Sequence, residues 1–383
     1  MKILFDNQIF KAQKYGGISR YFCELFKHIN VTNDVQYHMP IRDTNNEYLK
    51  NIYPLSEKKI YKNIPACKNS KVCRKLINII ELFDKNSNIN LSKEALIKND
   101  FDIFHPTYYS KYFLKYIKNK PFVLTVYDMI HELYPEYFNL DKITARNKKI
   151  LIQKANHIIA ISENTKKDIM NLYGIDEKKI KVIYLGNSIV SSTKIPRNTP
   201  QIPQKYILFV GSRGLYKNFT LFIESISEIL RSDKSINVIV AGGYSNQNNF
   251  SKEEVGLFEM LNIENQIFQY SVNDEQLAHL YQNALCFVFP SLYEGFGIPI
   301  LEAFSCNCPA VVSNTSSLPE VGGNAAIYFD PKDKRDIYDK VNEVIYNEKV
   351  REQMIKRGRE QLKNFSWEKT AKETIELYRE ILK

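Results

Sequence analysis

PSLYEGFGIPILEAFSCNCPAVVS, residues 290–313, decides how the rest of this chain reads. An apolar run ends near Pro290, and a loop holding Gly295 and Gly297 follows. Pro299 then suits the first turn of a helix, where its missing N–H costs nothing. PAVVS (309–313) reads as the next strand. Strand, glycine loop, helix, strand is the unit of a parallel sheet covered by helices. Free backbone N–H groups at such a helix start, approachable past two glycines, form a cradle for an anion such as a diphosphate. Glu302 stands eight residues after Glu294 and is read as lying in the first turn. Two acids beside a phosphate cradle are costly unless each serves a separate purpose. Glu302 would accept from ribose hydroxyls, and Glu294 would contact a sugar. A helix-dipole role, worth about 0.3–1 kcal/mol, would explain Glu302 alone. It does not explain both glutamates with both glycines and the proline at these offsets.

The same rhythm extends in both directions. KILFD (2–6), VQYHM (35–39), FDIFH (101–105), FVLTV (122–126), HIIAI (157–161) and KVIYL (181–185) read as strands in the first half. YILFVG (206–211), INVIVAG (236–242), the weaker QIFQY (266–270), LCFVFPS (285–291), PAVVS and AAIYF (325–329) do so in the second. These runs rarely alternate polar with apolar, the pattern of strands buried on both faces. The fold class is therefore α/β, with a doubly wound, Rossmann-like sheet in each half. The expected division is a first domain at 1–190, a proline-containing linker at 191–205 and a second domain at 206–365. A closing helix at 366–383 has Ser366 as N-cap and Trp367, Ala371, Ile375, Tyr378 and Leu382 on one stripe, and is expected to pack back on the first domain. Ligands of doubly wound sheets sit beyond the carboxyl ends of the strands, so the site is expected in the cleft between two such domains.

Composition narrows the function classes. With 44% hydrophobic residues, real cores can form. The start, MKILFDNQIF, is too polar for a signal peptide, and no run of apolar residues is long enough to span a bilayer. Cys23, Cys67, Cys73, Cys286, Cys306 and Cys308 lack the paired spacing of a zinc site, which fits a reducing cytoplasm. The net charge of +10 favours phosphate-bearing partners without choosing among them. Lys58, Lys59, Lys62, Lys68, Lys71, Arg74 and Lys75 form a basic stretch with no acid among them, and Val72, Leu76, Ile79, Ile80 and Phe83 follow at helical spacing. Such a segment rests on an anionic leaflet or forms the solvated face of a packed helix.

Three more segments follow strand ends. FVGSRGLYKNF (209–219) places Arg213 and Lys217 just after Gly211, where cations neutralise a diphosphate and stabilise it as a leaving group. KYGGISRYFCELF (14–26) carries Gly16 and Gly17 before a helix beginning near Ile18, which lets the backbone approach a ligand. TVYDMIHELYPE (125–136) offers Asp128 and His131. Ser162 and Glu163 in AISENTKKDI read as a helix cap.

The Glu-x7-Glu stretch resembles the hallmark of the family-four (group 1) retaining glycosyltransferases, which have the two-domain GT-B fold. SSLPEVGGNAAIYFDP (316–331), NDEQLAHLYQNA (273–284), VIYLGNS (182–188) and FSWEKTA (365–371) continue the likeness over nearly the whole chain. The resemblance implies two facing Rossmann-like domains, a nucleotide diphosphate sugar as donor, transfer with retention, and no cofactor or metal. It implies catalytic roles for Arg213, Lys217, Glu294 and Asp128. Donor contacts fall on Gly16, Gly17, Gly211, Val272, Gly295, Phe296, Gly297, Ile298 and Glu302, and acceptor contacts on Arg20 and His131. Lys217 sits at the family's offset from its glycine, whereas Arg213 lies one position later than the common pattern. Tyr127 stands where many relatives have histidine, leaving Asp128 to hold a hydroxyl and His131 as a substitute imidazole.

GGISRY and TVYDMIHELYPE look most like mannosyltransferases of bacterial surface polysaccharide assembly (O-antigen or capsule). That implies GDP-mannose as donor, with a UDP-sugar as the alternative. A lipid-linked or oligosaccharide acceptor at the inner face of the cell membrane would explain the basic region. Two other classes fare worse. A nicotinamide oxidoreductase lacks Gly-x-Gly-x-x-Gly after the first strand. A non-catalytic nucleotide- or nucleic-acid-binding protein would rest on charge alone, with no basic–aromatic module, so nucleic acid is not an expected partner.

Overall fold

The structure is a computed structural model that describes residues 1–32, 34–53, 88–139, 141–192, 194–197, 199–242 and 250–383. The basic stretch at 58–83, with Cys67 and Cys73, lies outside the described residues.

Among the described residues, every strand pairing is parallel. In the second half, β7 (Lys205–Val210), β8 (Ile236–Ala241), β9 (Ile267–Tyr270), β10 (Cys286–Phe289), β11 (Ala310–Ser313) and β12 (Ile327–Phe329) form one sheet in the order β12-β11-β10-β7-β8-β9. The order reverses between β7 and β10, so the crevice of this lobe opens beyond their carboxyl ends. β10 and β11 are buried along their whole length, which is why their sequence is continuously apolar. The helix Phe219–Ser232 lays Phe222, Ile223, Ile226, Ile229 and Leu230 into the core at helical spacing.

The first half departs from the single sheet read from its sequence. β1 (Lys2–Phe5), β2 (Gln36–His38) and β3 (Ile103–His105) form one three-stranded sheet, and β4 (Val123–Val126), β5 (His157–Ala160) and β6 (Ile180–Val182) another. Among the described residues, one parallel bridge, Phe104 to Phe122, joins them, with the Phe104 N–H donating to the Pro121 carbonyl at 3.0 Å. Pro106 follows β3 and Pro121 precedes β4, and a proline cannot donate to a ladder, so the seam is reduced to that bridge.

Side chains reinforce the seam. His105 is fully buried between the Tyr378 hydroxyl (2.5 Å from Nδ1) and Thr125 Oγ1 (2.9 Å from Nε2), tying β3 to β4 and to the closing helix Trp367–Ile381. Burial drops its pKa to about 3, so the imidazole is neutral. Ser366 caps the closing helix by accepting from the Lys369 N–H. The helix lies on the first lobe: Trp367 Nε1 donates to Ser188 Oγ at 2.8 Å, and Thr370 Oγ1 donates to the Tyr184 carbonyl at 2.6 Å. Burying Trp367, Ile375, Leu377 and Tyr378 there contributes about 1.5–3 kcal/mol for each large side chain. Gly186 is required at this contact, since a Cβ would fall on the Trp367 backbone nitrogen.

Among the described residues, no helix is long and apolar enough to cross a membrane. Cys23, Cys286, Cys306 and Cys308 are free and buried.

Candidate active site

A cavity of about 800 Å³ lies between the lobes, at the carboxyl ends of β7 and β10 on one side and against the glycine loop after β1 on the other. Two helices aim their N-termini into it. The helix Gly17–Ile29 begins at the double glycine, and the helix Ile298–Ser305 begins at Gly297, whose φ of 118° only glycine adopts readily. A Cβ on Gly17 would lie 3.8 Å from Ile298 Cδ1, so the two helix starts face each other directly. The dipoles of the two helix starts lend the cavity positive potential, although the Ser19 N–H donates to Gln13 Oε1 at 3.1 Å, the Ile300 N–H donates to the Gly297 carbonyl at 2.9 Å and Pro299 has no N–H.

Of the residues singled out from sequence, Gly16, Gly17, Arg20, Asp128, Gly211, Lys217, Glu294, Gly295, Phe296, Gly297, Ile298 and Glu302 all line this space. Lys217 ends a short 3-10 turn after β7, and its ammonium donates to Glu294 Oε1 at 2.5 Å. Burial pulls the Lys217 pKa down, but Glu294 and Tyr216 push it up further, and the net shift is upward. It is a cation at neutral pH. The Glu294 N–H donates to Ser316 Oγ, and Ser317 Oγ donates to the carbonyls of Glu294 and Phe296, so the loop is held from behind by the segment after β11. Asp128 accepts from the Ile130 N–H through Oδ1, while fully buried Lys148 donates to its carbonyl at 2.9 Å and to Glu132 at 2.9 Å. That lysine fixes the Asp128 backbone from below.

Glu302 differs from the sequence reading in position. The helix starts at Ile298 and has no acid in its first turn, so Glu302 sits a turn further along and is no dipole partner of the N-terminus. It is buried and accepts from the Tyr281 hydroxyl at 3.1 Å. Burial raises its pKa, which Arg20 and the Tyr281 hydrogen bond partly offset.

Four assignments are revised. Arg213 is not brought to the cavity: its side chain is fully buried, donates through Nε to Glu254 at 2.6 Å and stacks over Phe250. The one-residue offset from the family pattern turns it to the far side of the loop. Arg20 lines the cavity but is committed across it, with Nη2 donating to both Asp274 oxygens (2.8 and 2.7 Å) and to the Tyr48 hydroxyl (2.6 Å), so no free cation is offered to an acceptor phosphate. His131 lies behind the cavity wall, packed on Phe138 with ring centroids 4.2 Å apart, and burial lowers its pKa. It is neutral and does not replace an imidazole at position 127. Val272 is half-buried beyond β9, off the cavity surface. Tyr127 itself is buried, and its hydroxyl donates to the Thr107 carbonyl at 3.3 Å. Ser162 is the helix cap read from sequence and also donates to the Gly295 carbonyl at 2.8 Å, joining the lobes.

Arg213→Met is expected to act on stability rather than turnover. Removing one partner of a buried ion pair leaves Glu254 uncompensated, at a cost of about 3 kcal/mol. The melting temperature should fall clearly while donor KM stays close to that of the parent. A large kcat loss with unchanged melting would return Arg213 to the chemistry.

The residues that sequence reading missed are those acting across the lobes. Tyr293 accepts from the Met129 N–H at 3.2 Å and donates to Asp168 at 2.7 Å. Glu320 accepts from the Glu163 N–H at 2.7 Å, placing an acid of one lobe on a helix start of the other. Asp274 follows a cap residue, Asn273, and reads as an ordinary first-turn acid. Its partner lies 254 positions away, and no local signal points to it. Among the described residues, no group of three or more His, Cys, Asp or Glu side chains is arranged to hold a metal ion.

With the geometry in place, comparisons with known proteins add relatives. The family model for glycosyl transferases group 1 matches residues 192–361, and that for glycosyltransferase family 4 matches 81–187. O-antigen chain mannosyltransferase B of Escherichia coli is 28% identical over 99% of this chain and 100% of its own length. O-antigen chain mannosyltransferase RfbU of Salmonella typhimurium is 31% identical over 55% of this chain and 57% of its own. Among solved structures, sucrose-phosphate synthase from Thermosynechococcus elongatus superposes with a TM-score of 0.72 at 19% identity, covering 100% of this chain and 99% of that one. The shared fold is GT-B.

Proposed function

This chain belongs to the group 1 glycosyltransferases, and from that premise we propose that it transfers mannose from GDP-mannose, with retention and without a metal, to a lipid-linked or oligosaccharide acceptor in bacterial polysaccharide synthesis. The observation that carries the reading is the meeting of Lys217 with two opposed helix N-termini and Glu302 in one interlobe cavity. A diphosphate fits between them, its charge balanced by the ammonium and the amide hydrogens, and Glu302 accepts from the ribose. In transfer, the bond between the anomeric carbon and the diphosphate oxygen breaks, and the acceptor hydroxyl oxygen bonds to that carbon from the same face. The hydroxyl proton leaves toward the departing phosphate. The groups that stabilise that phosphate are part of the protein, which is why the reaction is assigned without a metal. Mannose rests on the likeness to the two O-antigen chain mannosyltransferases, and a cytoplasmic site at the inner membrane face on the chemistry of a lipid-linked acceptor.

The test is a donor screen by thermal unfolding. A donor present at 100 times its dissociation constant stabilises by about 2.7 kcal/mol. That corresponds to a rise of about 5–10 °C for lobes of this size. GDP-mannose is expected to give this shift and slow GDP release, both unchanged by EDTA. A shift with a UDP-sugar alone would move the donor assignment, and none with either would overturn the reading.

A further inference from the structure

Arg20 is the most unusual side chain in the cavity wall. It starts in the first lobe, on the helix Gly17–Ile29, yet the carboxylate that its Nη2 binds, Asp274, belongs to the second. Only 9% of the side chain is exposed, and the guanidinium lies 4.7 Å from the centre of the Tyr48 ring. Nη2 is fully used. Nη1 is buried without a hydrogen-bond partner and stands 3.8 Å from Glu302 Oε1. Leaving a guanidinium N–H buried and unpaired is costly, and the carboxylate that Nη1 faces is the one read here as the ribose contact. We propose that Arg20 is a positioning residue for the donor: it crosses the cleft to hold Glu302 ionised and oriented, so that the ribose end of the donor pocket is complete only when the lobes are together.

This rests on the reading of Glu302 as the ribose acceptor. The rival account is mechanical, with Arg20 and Asp274 as a latch between lobes and Glu302 a bystander. The two accounts separate because the charges act oppositely on Glu302: Arg20 pulls its pKa down and Asp274 pushes it up. The groups facing Glu302 are Arg20 from the first lobe, Asp274 and Tyr281 from the helix Asp274–Asn283, and Tyr48 beside the guanidinium. Cys306, on its own helix's end, has its thiol pushed up to about 11 and stays neutral. Tyr48 and Tyr281 are both raised and neutral as well, so Arg20 and Asp274 are the charges that set Glu302 in the neutral range.

The experiment measures dissociation constants of GDP-mannose and of UDP-glucose by calorimetry between pH 5.5 and 8.5, on the full chain and its variants. Arg20→Gln removes the downward pull, so Glu302 stays protonated to higher pH. Affinity should be about tenfold weaker than parent near pH 6, and the gap should close as pH rises and Glu302 ionises. Asp274→Asn should leave no such pH-dependent gap, and Arg20→Lys, which keeps the charge, should hold the parental midpoint even where the glutamine variant fails to fold. Glu302→Ala should be weaker at every pH. A pH-independent loss shared by Arg20→Gln and Asp274→Asn, or by Arg20→Lys and Asp274→Asn, would overturn the positioning role while leaving the donor site intact. Parental affinity in Glu302→Ala, or no binding of either probe by the parent, would overturn the underlying reading and this proposal with it.

Discussion

Lys217→Ala is expected to lower kcat by about 10²–10³-fold with donor KM changed only a few-fold, the scale of removing one preorganised stabiliser of developing charge. The Lys217 side chain is 16% exposed, and its ammonium lies over the Phe289 ring and is kept protonated by Glu294 and Tyr216. It is a fixed positive charge in a partly dry site. Its worth increases as the glycosidic bond breaks and negative charge gathers on the leaving diphosphate, so the loss falls on turnover more than on binding. Glu294 balances the ammonium, and removing the lysine leaves that carboxylate facing the phosphates. Glu294→Gln on the parental background therefore belongs beside the alanine variant. Steady-state kinetics of glycosyl transfer would make the measurement. A kcat within about threefold of parent would remove Lys217 from the chemistry.

Gly295→Ala should be as damaging by a different route. A Cβ at this position would fall on the Tyr127 carbonyl oxygen, with the carbonyl carbon 2.8 Å away and Asp128 Cβ at 3.0 Å. These are backbone and near-backbone atoms, which cannot swing aside. The Gly295 carbonyl also accepts from Ser162 and Thr165 of the first lobe, so one methyl group disturbs the clash point and its hydrogen bonds together. Relief requires the lobes to part. A displacement of about 1 Å between reacting groups costs on the order of 10²-fold, and kcat/KM is expected to fall by about that much. Both lobes should stay folded, because the collision lies between them. Small-angle scattering should record a larger radius of gyration, and parental kcat/KM with an unchanged scattering profile would refute the argument.

These expectations show which parts of the site could be read along the chain. Gly297, Pro299 and the helix they open were legible because each depends on its immediate neighbours: φ for the glycine and the missing N–H for the proline. Lys217 was legible by its distance from a strand end. Arg213 was not, since a shift of one residue in an irregular loop rotates a side chain to the other side and pattern matching carries no direction. Glu302 was picked out, but its place within the helix was misjudged because the helix already begins at Ile298, ahead of Pro299, which carries position 302 past the first turn.

What the sequence by itself determined was the class of structure. Continuous apolar runs separated by helix-length segments admit parallel, doubly covered sheets, and glycines after strands line the cavity at their ends. Folding in three dimensions decided the split of the first sheet at two prolines and the pairing of Arg20 with Asp274. It also decided the seating of Gly295 on Tyr127. Local preferences are set by a few consecutive residues and can be read from them. Contacts between lobes depend on how two finished surfaces meet, and residues that make them, such as Arg20 and Asp274, can be 254 positions apart, with nothing in either neighbourhood to announce the other.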